Sequence, residues 1–180
     1  VFLRLLELRG QLQRLYTSNM DGLAAAVGIE RRFECFGSFA SFTCLSCGVS
    51  SPAHDVLADL GLPQVPRCPR AAGNDAAARC NGILKPDVLL FGDEEARARR
   101  DAAMETLLRE DVANASLVLV IGHSLHIPPL TANVLARFRR PGVPMVAINR
   151  RRVAYPFPWD ALLLGDSEVV VERLARAMRV

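Results

Sequence analysis

The cysteines are the residues of this chain whose spacing points most directly to chemistry. Cys44 and Cys47 form a Cys-x-x-Cys pair. Twenty residues separate Cys47 from Cys68, and eleven separate Cys68 from Cys80. Four thiolates satisfy tetrahedral zinc and leave no open position for a catalytic water, so the spacing predicts a structural zinc site. The alternative is a chance Cys-x-x-Cys pair together with two ordinary buried cysteines.

The segment that carries these four cysteines differs from the rest of the chain, because it has little sustained hydrophobic periodicity. Such a segment needs something other than an apolar core to order it, and a bound metal can supply that. We therefore expect residues 37–83 to form a small zinc-binding domain, inserted between two parts of a larger domain at 1–36 and 84–180. Cys35 lies outside this segment and is expected to be a small buried hydrophobic residue.

Polar residues follow three of the predicted strands, each at the strand's carboxyl end: Ser18–Asp21, Gly122–Ser124 and Asn149. The carboxyl ends of parallel strands meet at one edge of a sheet, where ligands of such sheets bind, so we expect these turns to converge on one cleft. Each turn alone is a weak indication. Residues 18–21 are equally typical of a helix cap, and Asn149 is more often a turn residue than a ligand.

Short apolar strands that alternate with helices must position these turns. The predicted strands are 12–17, 33–36, 88–91, 117–121, 143–148 and 161–164, and the predicted helices are 2–8, 23–27, 94–109, 130–138 and 167–178. This alternation favours parallel pairing, with helices on both faces of the sheet. We therefore predict an α/β fold: a Rossmann-like doubly wound parallel sheet with a small inserted zinc-binding module.

Composition excludes several classes of protein. Of 180 residues, 51% are hydrophobic and 23% charged, which is enough for a sizeable core and too apolar for wholesale disorder. No apolar run reaches the roughly 18 residues of a membrane span, so no membrane partner is expected. The net charge of +3 is mild, and no basic surface interleaved with aromatics accompanies the cysteines. Both features disfavour a zinc ribbon that binds nucleic acid directly.

In this order the motifs resemble those of sirtuins, the NAD-dependent protein lysine deacylases. The matching segments are LYTSNMDG (15–22), ECFGSF (34–39), the four cysteines, LKPDVLLFGD (84–93), LVLVIGHSL (117–125), INR (148–150) and LGDSE (164–168). The resemblance implies transfer of an acyl group from lysine to ADP-ribose, with release of nicotinamide. It also implies NAD and structural zinc as cofactors, an acyl-lysine protein such as a histone tail as substrate, chromatin silencing as a role, and an intracellular location, nuclear or cytoplasmic.

The resemblance also assigns roles by position. The residues expected to bind the cofactor are Ser18, Asn19, Asp21, Gly122, His123, Ser124, Asn149 and Ser167, and those expected to pair with the substrate peptide are Leu89, Phe91 and Gly92. Asn19, which also counts as catalytic, lines the family's pocket for nicotinamide and its ribose together with Asp21. The turn 122–124 approaches the adenosine side of the cofactor. Strand addition is the implied mode of peptide binding.

One departure from the family pattern bears on catalysis. The family's histidine takes a proton from the nicotinamide ribose hydroxyl as the amide oxygen attacks the anomeric carbon, and its position is occupied by Phe36. Phenylalanine has no titratable group, so it cannot act as a base, and general-base assistance is worth about 10²–10⁴-fold in rate. His123 and His126 follow a different strand and can bind cofactor or water, but neither is placed for that hydroxyl.

A second departure concerns the start of the chain. The family's first strand and glycine-rich loop, which cradle the pyrophosphate, would precede Val1, so we expect this chain to be a piece of a longer protein. That strand is central in a doubly wound sheet, and its neighbours are therefore expected to have an unpaired edge here. Smaller changes accompany this: Ser18 replaces the usual glutamine, His123 the usual threonine and Asp93 the usual glutamate.

Two functions remain open from these residues. The first is an NAD-dependent protein deacylase of the sirtuin type, whose turnover Phe36 is expected to lower. The second is a catalytically degenerate sirtuin that acts as an NAD-binding or protein-binding module. Family resemblance favours the first, and the loss of the base at Phe36 favours the second for this chain.

Overall fold

The computed structural model describes most of the chain: residues 1–57, 64–72, 75–126, 130–152 and 158–179. In chain order its elements are α1 (Phe2–Leu8), β1 (Leu15–Thr17), α2 (Leu23–Ala26), β2 (Arg32–Glu34), β3 (Gly37–Cys44), β4 (Ser50–Pro52), α3 (Ala53–Leu57), β5 (Ala71–Ala72), β6 (Asp75–Arg79), β7 (Leu84–Val88), α4 (Glu94–Asn114), β8 (Val118–Ile121), α5 (Ala132–Ala136), β9 (Met145–Asn149), β10 (Ala161–Leu164) and α6 (Ser167–Met178). Within these ranges, no helix combines the length and the apolar character needed to cross a membrane.

Two sheets consist of parallel strands, one from the first part of the chain and one from the last part. β1 pairs with β2, with Tyr16 opposite Phe33. β8, β9 and β10 form the second sheet in the order β10-β9-β8. The predicted parallel α/β fold is therefore confirmed. Among the described residues β1 pairs only with β2 and β8 only with β9, so each of these two strands has one unpaired edge.

The middle of the chain forms an antiparallel sheet in the order β4-β3-β7. β3 runs against β7 from the pair Gly37–Val88 to the pair Cys44–Leu84. Gly37 has a φ of +80°, and a Cβ at this position would overlap the carbonyl oxygen of Asp87. Only glycine fits here, because other residues rarely adopt this φ and have a Cβ to place. The sharp turn into β3 therefore depends on Gly37.

The last strand of this sheet lies earlier in the chain than the sequence predicts. The apolar run over 88–91 predicted a strand there, and this prediction is wrong, since β7 covers Leu84–Val88. Pairing with β3 sets these bounds, although it includes polar residues and a proline. Beyond Val88 the N–H of Asp93 donates to the carbonyl of Leu90 at 3.3 Å, and this turn ends the extended backbone.

Asp93 connects this turn to the longest helix. Its carboxylate accepts a hydrogen bond from the N–H of Ala96 at 3.3 Å and so caps α4. Nζ of Lys85 lies 2.6 Å from the same carboxylate, and the hydrogen bond from Lys85 lowers the pKa of Asp93. Asp93 thus caps α4 and also ties this helix to β7.

Three groups of buried residues form the core. They are Cys35, Met104, Leu108 and Phe138 beside the first parallel sheet; Phe42, Cys44, Cys68 and Leu84 in the middle; and Leu125, Leu135 and Met145 beside the second parallel sheet. The expectation for Cys35 is confirmed, because its side chain is 2% exposed. Burial also raises the pKa of the Cys35 thiol to about 11, so this cysteine stays a neutral packing residue.

A buried carboxylate ties α4 to the segment that leads into β1. Asp111 is 3% exposed and accepts hydrogen bonds from Gln13 Nε2 at 2.9 Å, Arg14 Nε at 2.7 Å and the Tyr16 hydroxyl at 2.5 Å. Burial, with this hydrogen bond, raises the pKa of Tyr16. Buried charges are tolerated when they are paired and hydrogen-bonded in this way. The network fixes the start of β1 and, through it, the polar turn at the end of that strand.

Candidate functional site

The four cysteines predicted to hold zinc come together beside the antiparallel sheet. Their Sγ atoms all lie within 4.8 Å of one another. The separation is 3.7 Å between Cys44 and Cys80 and 3.8 Å between Cys47 and Cys68, and none of them forms a disulfide. Four thiolates about 2.3 Å from a tetrahedral zinc lie about 3.8 Å apart. The residues present therefore fit a structural zinc, and a chance arrangement of unrelated cysteines does not describe this cluster.

Backbone hydrogen bonds and one glycine position the cysteines. The N–H of Cys68 donates to the carbonyl of Gly82 at 2.9 Å, which joins the two later ligand segments. A Cβ on Gly82 would lie 2.5 Å from Oγ of Ser46 and 2.7 Å from Sγ of Cys44, so the segments meet only because residue 82 has no side chain. Hydrogen bonds from the backbone N–H groups of Cys47 and Ser46 lower the pKa of Cys44 to about 6. They favour the thiolate, which is the form that binds metal.

Polar groups at the ends of β1, β8 and β9 are hydrogen-bonded to one another. Ser18 Oγ lies 3.0 Å from His123 Nε2. The side-chain amide of Asn149 donates to the carbonyl of His123 at 3.3 Å. The N–H of Gly165, at the end of β10, donates to the carbonyl of Asn149 at 3.0 Å. The structure thus brings together three of the residues predicted to bind the cofactor, and their binding role stays a prediction.

Other residues predicted for the cofactor site take part in local turns. Asp21 Oδ1 accepts the N–H of Leu23 at 3.0 Å, which closes an Asx turn directly before α2, whose N-cap is Gly22. The N–H of Asn19 donates to Oγ1 of Thr17 at 3.1 Å, and its side chain is exposed. Gly122 and Ser124 are exposed on either side of His123, and Ser167 is the first residue of α6. Exposed groups at strand ends are accessible to a ligand, so a role in a turn and a binding role are compatible.

Phe36 lies beside the segment predicted to bind the peptide. Its carbonyl accepts the N–H of Leu89 at 2.9 Å. Its ring packs against the buried cluster that contains Cys35, and it has no proton donor or acceptor. Phe91 is fully exposed and Gly92 follows it, both beyond the end of β7. Phe36, at the position where the resemblance predicts a base, and the predicted peptide segment are therefore neighbours joined by a backbone hydrogen bond.

The sequence did not indicate two residues that position the candidate site residues, Asp111 and Gly82. Asp111 lies in a helix rich in charged side chains, and nothing in its spacing distinguishes it from the exposed acids around it. Gly82 lies two residues after Cys80, and a glycine at this distance from a metal ligand is a turn signal that could have identified it. Neither residue has a predicted role in chemistry, but the structure shows that each positions residues that do.

Comparison with known proteins identifies the relatives of this chain. The model of the Sir2 family matches residues 1–129. The chain is 37% identical over 179 residues to the NAD-dependent protein deacetylase sirtuin-3 of Mus musculus, a match that covers 96% of this chain and 48% of that protein. It is 32% identical over 177 residues to the NAD-dependent protein deacetylase sirtuin-1 of Homo sapiens, which covers 98% of this chain and 22% of that protein. The chain thus spans less than half the length of these relatives.

Solved structures show the same similarity. One, described as "The Structural basis of Sirtuin Substrate Affinity", has a TM-score of 0.74 and 25% identity, over 98% of this chain and 66% of that chain. Another, described as "Sir2-p53 peptide-NAD+", has a TM-score of 0.70 and 25% identity, over 99% of this chain and 68% of that chain. Nearly the whole of this chain therefore matches the fold of these proteins, and it covers about two thirds of each of them.

Proposed function

Because the chain belongs to the Sir2 family, we propose that it forms the zinc domain and much of the nucleotide cleft of an NAD-dependent protein deacylase. NAD supplies the ADP-ribose group that accepts the acyl oxygen of the substrate, and nicotinamide leaves with the electron pair of its glycosidic bond. The substrate is an acyl-lysine protein, of which a histone tail is one example, and such substrates place the protein in the nucleus or the cytoplasm. Three findings support this: the family match, the cysteine cluster and the hydrogen-bonded strand ends.

Three groups of residues would bind the zinc, the dinucleotide and the peptide. Cys44, Cys47, Cys68 and Cys80 would hold a structural zinc that orders the middle of the chain and takes no part in the reaction. The dinucleotide would be bound at the strand ends by Ser18, Asn19, Asp21, Gly122, His123, Ser124, Asn149 and Ser167. The peptide would be bound by strand addition beside Phe36, at Leu89, Phe91 and Gly92.

The presence of phenylalanine at position 36 is the observation on which we base the expected rate of substrate turnover. Its carbonyl is hydrogen-bonded to the predicted peptide segment, and its ring packs on the core without any group that accepts a proton. The ribose hydroxyl then has to lose its proton without a positioned base, at a cost of about 10²–10⁴-fold in rate. We therefore propose a protein that binds NAD and acyl-lysine peptide and turns them over slowly.

A second candidate function is favoured by the same residue. A degenerate sirtuin that binds NAD or an acyl-lysine protein, with no turnover, would have the same cleft and the same zinc domain. The two candidates differ in product formation and not in binding.

Calorimetry with NAD and an acetyl-lysine peptide, followed by an assay of nicotinamide release, tests both candidates. We expect NAD to bind and nicotinamide to be released at about 1% or less of the rate of a sirtuin that has the histidine. Binding with no release above the background hydrolysis of NAD would establish the binding module instead. Failure of the full-length protein to bind NAD would contradict both.

A further inference from the structure

The side chains of Ser18 and His123 join the ends of two strands that belong to different sheets. Ser18 directly follows β1, and His123 lies two residues beyond the end of β8. In the described part of the chain these two strands do not pair with each other. The 3.0 Å contact between Oγ and Nε2 is therefore a side-chain link between the two parallel sheets. Both residues are half-buried, so the link is partly exposed to solvent.

The other ring nitrogen of His123 determines which atom of this pair is the donor. The backbone N–H of Leu125 donates to Nδ1 of His123 at 2.9 Å. A backbone amide can only donate, so Nδ1 must present its lone pair, and the proton of a neutral imidazole is then on Nε2. It follows that Nε2–H donates to Ser18 Oγ. Burial lowers the pKa of His123, which favours this neutral form near neutral pH.

The backbone around His123 keeps the ring in this orientation. Leu125 has a φ of +63°, rare for a residue with a side chain, and is only 7% exposed in a cluster with Leu135 and Met145. The packing of the Leu125 side chain therefore fixes the position of the Leu125 N–H, which faces Nδ1 of His123. On the other side, the Asn149 amide donates to the His123 carbonyl at 3.3 Å. A rotation of the His123 ring would break the hydrogen bond from the Leu125 N–H to Nδ1. A tautomer with its proton on Nδ1 could not accept that hydrogen bond either.

The direction of the hydrogen bond has a chemical consequence for Ser18. Because Nε2 carries a proton, His123 cannot take one from the serine, so the pair is not an activated nucleophile and His123 is not a substitute base for position 36. The serine oxygen is used as an acceptor and its own proton remains free. Among the described residues Ser18 Oγ makes no second hydrogen bond. The hydrogen bond from His123 thus leaves the proton of the Ser18 hydroxyl available for donation to a ligand.

We propose that His123 is a positioning residue that turns the hydroxyl of Ser18 into a hydrogen-bond donor for an oxygen atom of the bound nucleotide. The acceptor is a phosphate oxygen or a ribose oxygen, since both accept hydrogen bonds from a neutral hydroxyl. The inference rests on the proposed function only for the identity of the ligand. The direction of the hydrogen bond between the two side chains is a property of the ligand-free protein.

Nitrogen NMR of the ligand-free protein labelled at histidine tests that direction first. We expect the His123 ring to be neutral at pH 7, with its proton on Nε2. Loss of the corresponding signals in His123→Gln assigns them. A ring protonated on Nδ1, or on both nitrogens, at pH 7 would overturn the proposal whatever the protein binds.

Binding of ADP-ribose, measured by calorimetry, tests the donor role. Loss of one hydrogen bond predicts that Ser18→Ala and His123→Leu each weaken binding about three- to tenfold, and that the double variant is no weaker than either single one. His123→Gln keeps an N–H donor near the position of Nε2 and should recover most of the affinity, which a purely structural role of the ring would not predict. Thermal unfolding of each variant checks that it is folded.

Adenosine, which lacks the phosphates and the second ribose, distinguishes an acceptor on the adenine ribose from one farther along the cofactor. An unchanged affinity of Ser18→Ala for adenosine assigns the acceptor to the pyrophosphate or the ribose beyond it, and a weakened affinity assigns it to the adenine ribose. Binding of ADP-ribose to Ser18→Ala within about twofold of the parent protein would overturn the proposal. Failure of the parent protein to bind ADP-ribose would instead contradict the proposed function, and the NMR result would still decide the tautomer.

Discussion

A methyl group on Gly82 would lie 2.7 Å from Sγ of Cys44, well inside van der Waals contact. The segment that carries Cys80 therefore reaches the first pair of cysteines only through a residue without a side chain. A sulfur atom that must also bind a metal cannot move aside. The geometry of the cysteine cluster thus depends on a residue that is not itself a ligand.

Replacement of Gly82 by alanine should weaken metal binding. We expect Gly82→Ala to lose zinc to a chelator at least about tenfold more readily than the parent, since one displaced ligand costs more than about 1.4 kcal/mol. Competition with a chromophoric chelator measures this. Gly142→Ala is a matched control, because Gly142 has a φ of +81° and open space around its Cα. It should lose stability by about 1 kcal/mol and keep its zinc affinity. Equal zinc affinity in Gly82→Ala and the parent would contradict the prediction.

The cysteines should divide into four ligands and one packing residue. We expect one zinc per chain by metal analysis, lost in each of Cys44→Ala, Cys47→Ala, Cys68→Ala and Cys80→Ala. Cys35→Ala is the control and should keep its zinc, because Cys35 is buried in a separate cluster with Met104 and Leu108. A zinc-free parent protein, purified without chelator, would show that the cluster does not bind this metal.

The buried carboxylate of Asp111 should be a major contributor to stability. Asp111→Ala leaves the donors of Gln13, Arg14 and Tyr16 without their shared acceptor, and we expect a loss of about 3 kcal/mol in the free energy of unfolding. Urea denaturation measures it. Glu110→Ala is the matched control, since Glu110 is the exposed neighbour on the same helix, and it should change stability by less than about 0.5 kcal/mol. Similar effects of the two substitutions would contradict the role of the network.

Part of the acid sensitivity of the fold should come from Glu7. Its carboxylate accepts the N–H of Arg31 at 2.6 Å and that of Glu30 at 3.0 Å, and the hydrogen bond from Arg31 is the main reason that the pKa of Glu7 is lowered. A lowered pKa in the folded state stabilises the protein above the ordinary glutamate value of about 4.3, and this contribution disappears as the pH falls through the lowered pKa.

Urea denaturation between pH 7 and pH 3 should show this contribution. We expect Glu7→Gln to be less stable than the parent at pH 7 and to lose less stability on acidification. Glu110→Gln should retain the pH profile of the parent. If Glu7→Gln and the parent lose stability in parallel, the hydrogen bonds of Glu7 are not formed in solution.

The sequence predicts some elements well because local signals alone define them. α1 and α6 have the predicted bounds, since apolar residues at helical spacing and clear end signals mark them. β7 was misplaced because the apolar run over 88–91 leaves the sheet after Val88 and enters a turn at Leu90, whereas the polar segment before it, which contains a proline, pairs with β3. Strand bounds that depend on a distant partner leave no local signal.

In the candidate site, too, local sequence signals predict some features, whereas others depend on contacts between distant residues. The four predicted zinc ligands, which the structure brings together, follow from cysteine spacing, since few other roles suit that pattern. The strand-end residues follow from their positions, but the direction of the hydrogen bond between Ser18 and His123 does not. It depends on the backbone N–H of Leu125, which only the folded turn places against Nδ1. Asp111 is equally invisible in the sequence, because its three donors lie almost a hundred residues away.

Introduction of a histidine at position 36 in the full-length protein tests most directly whether the missing base limits turnover. Nicotinamide release from NAD in the presence of an acetyl-lysine peptide is the measurement. We expect Phe36→His to release nicotinamide about 10²-fold faster than the parent or more, with NAD affinity nearly unchanged, and Phe36→Leu to give no increase. Equal release rates in Phe36→His and the parent, with both proteins folded and bound to NAD, would show that the absence of a base at this position does not limit the reaction.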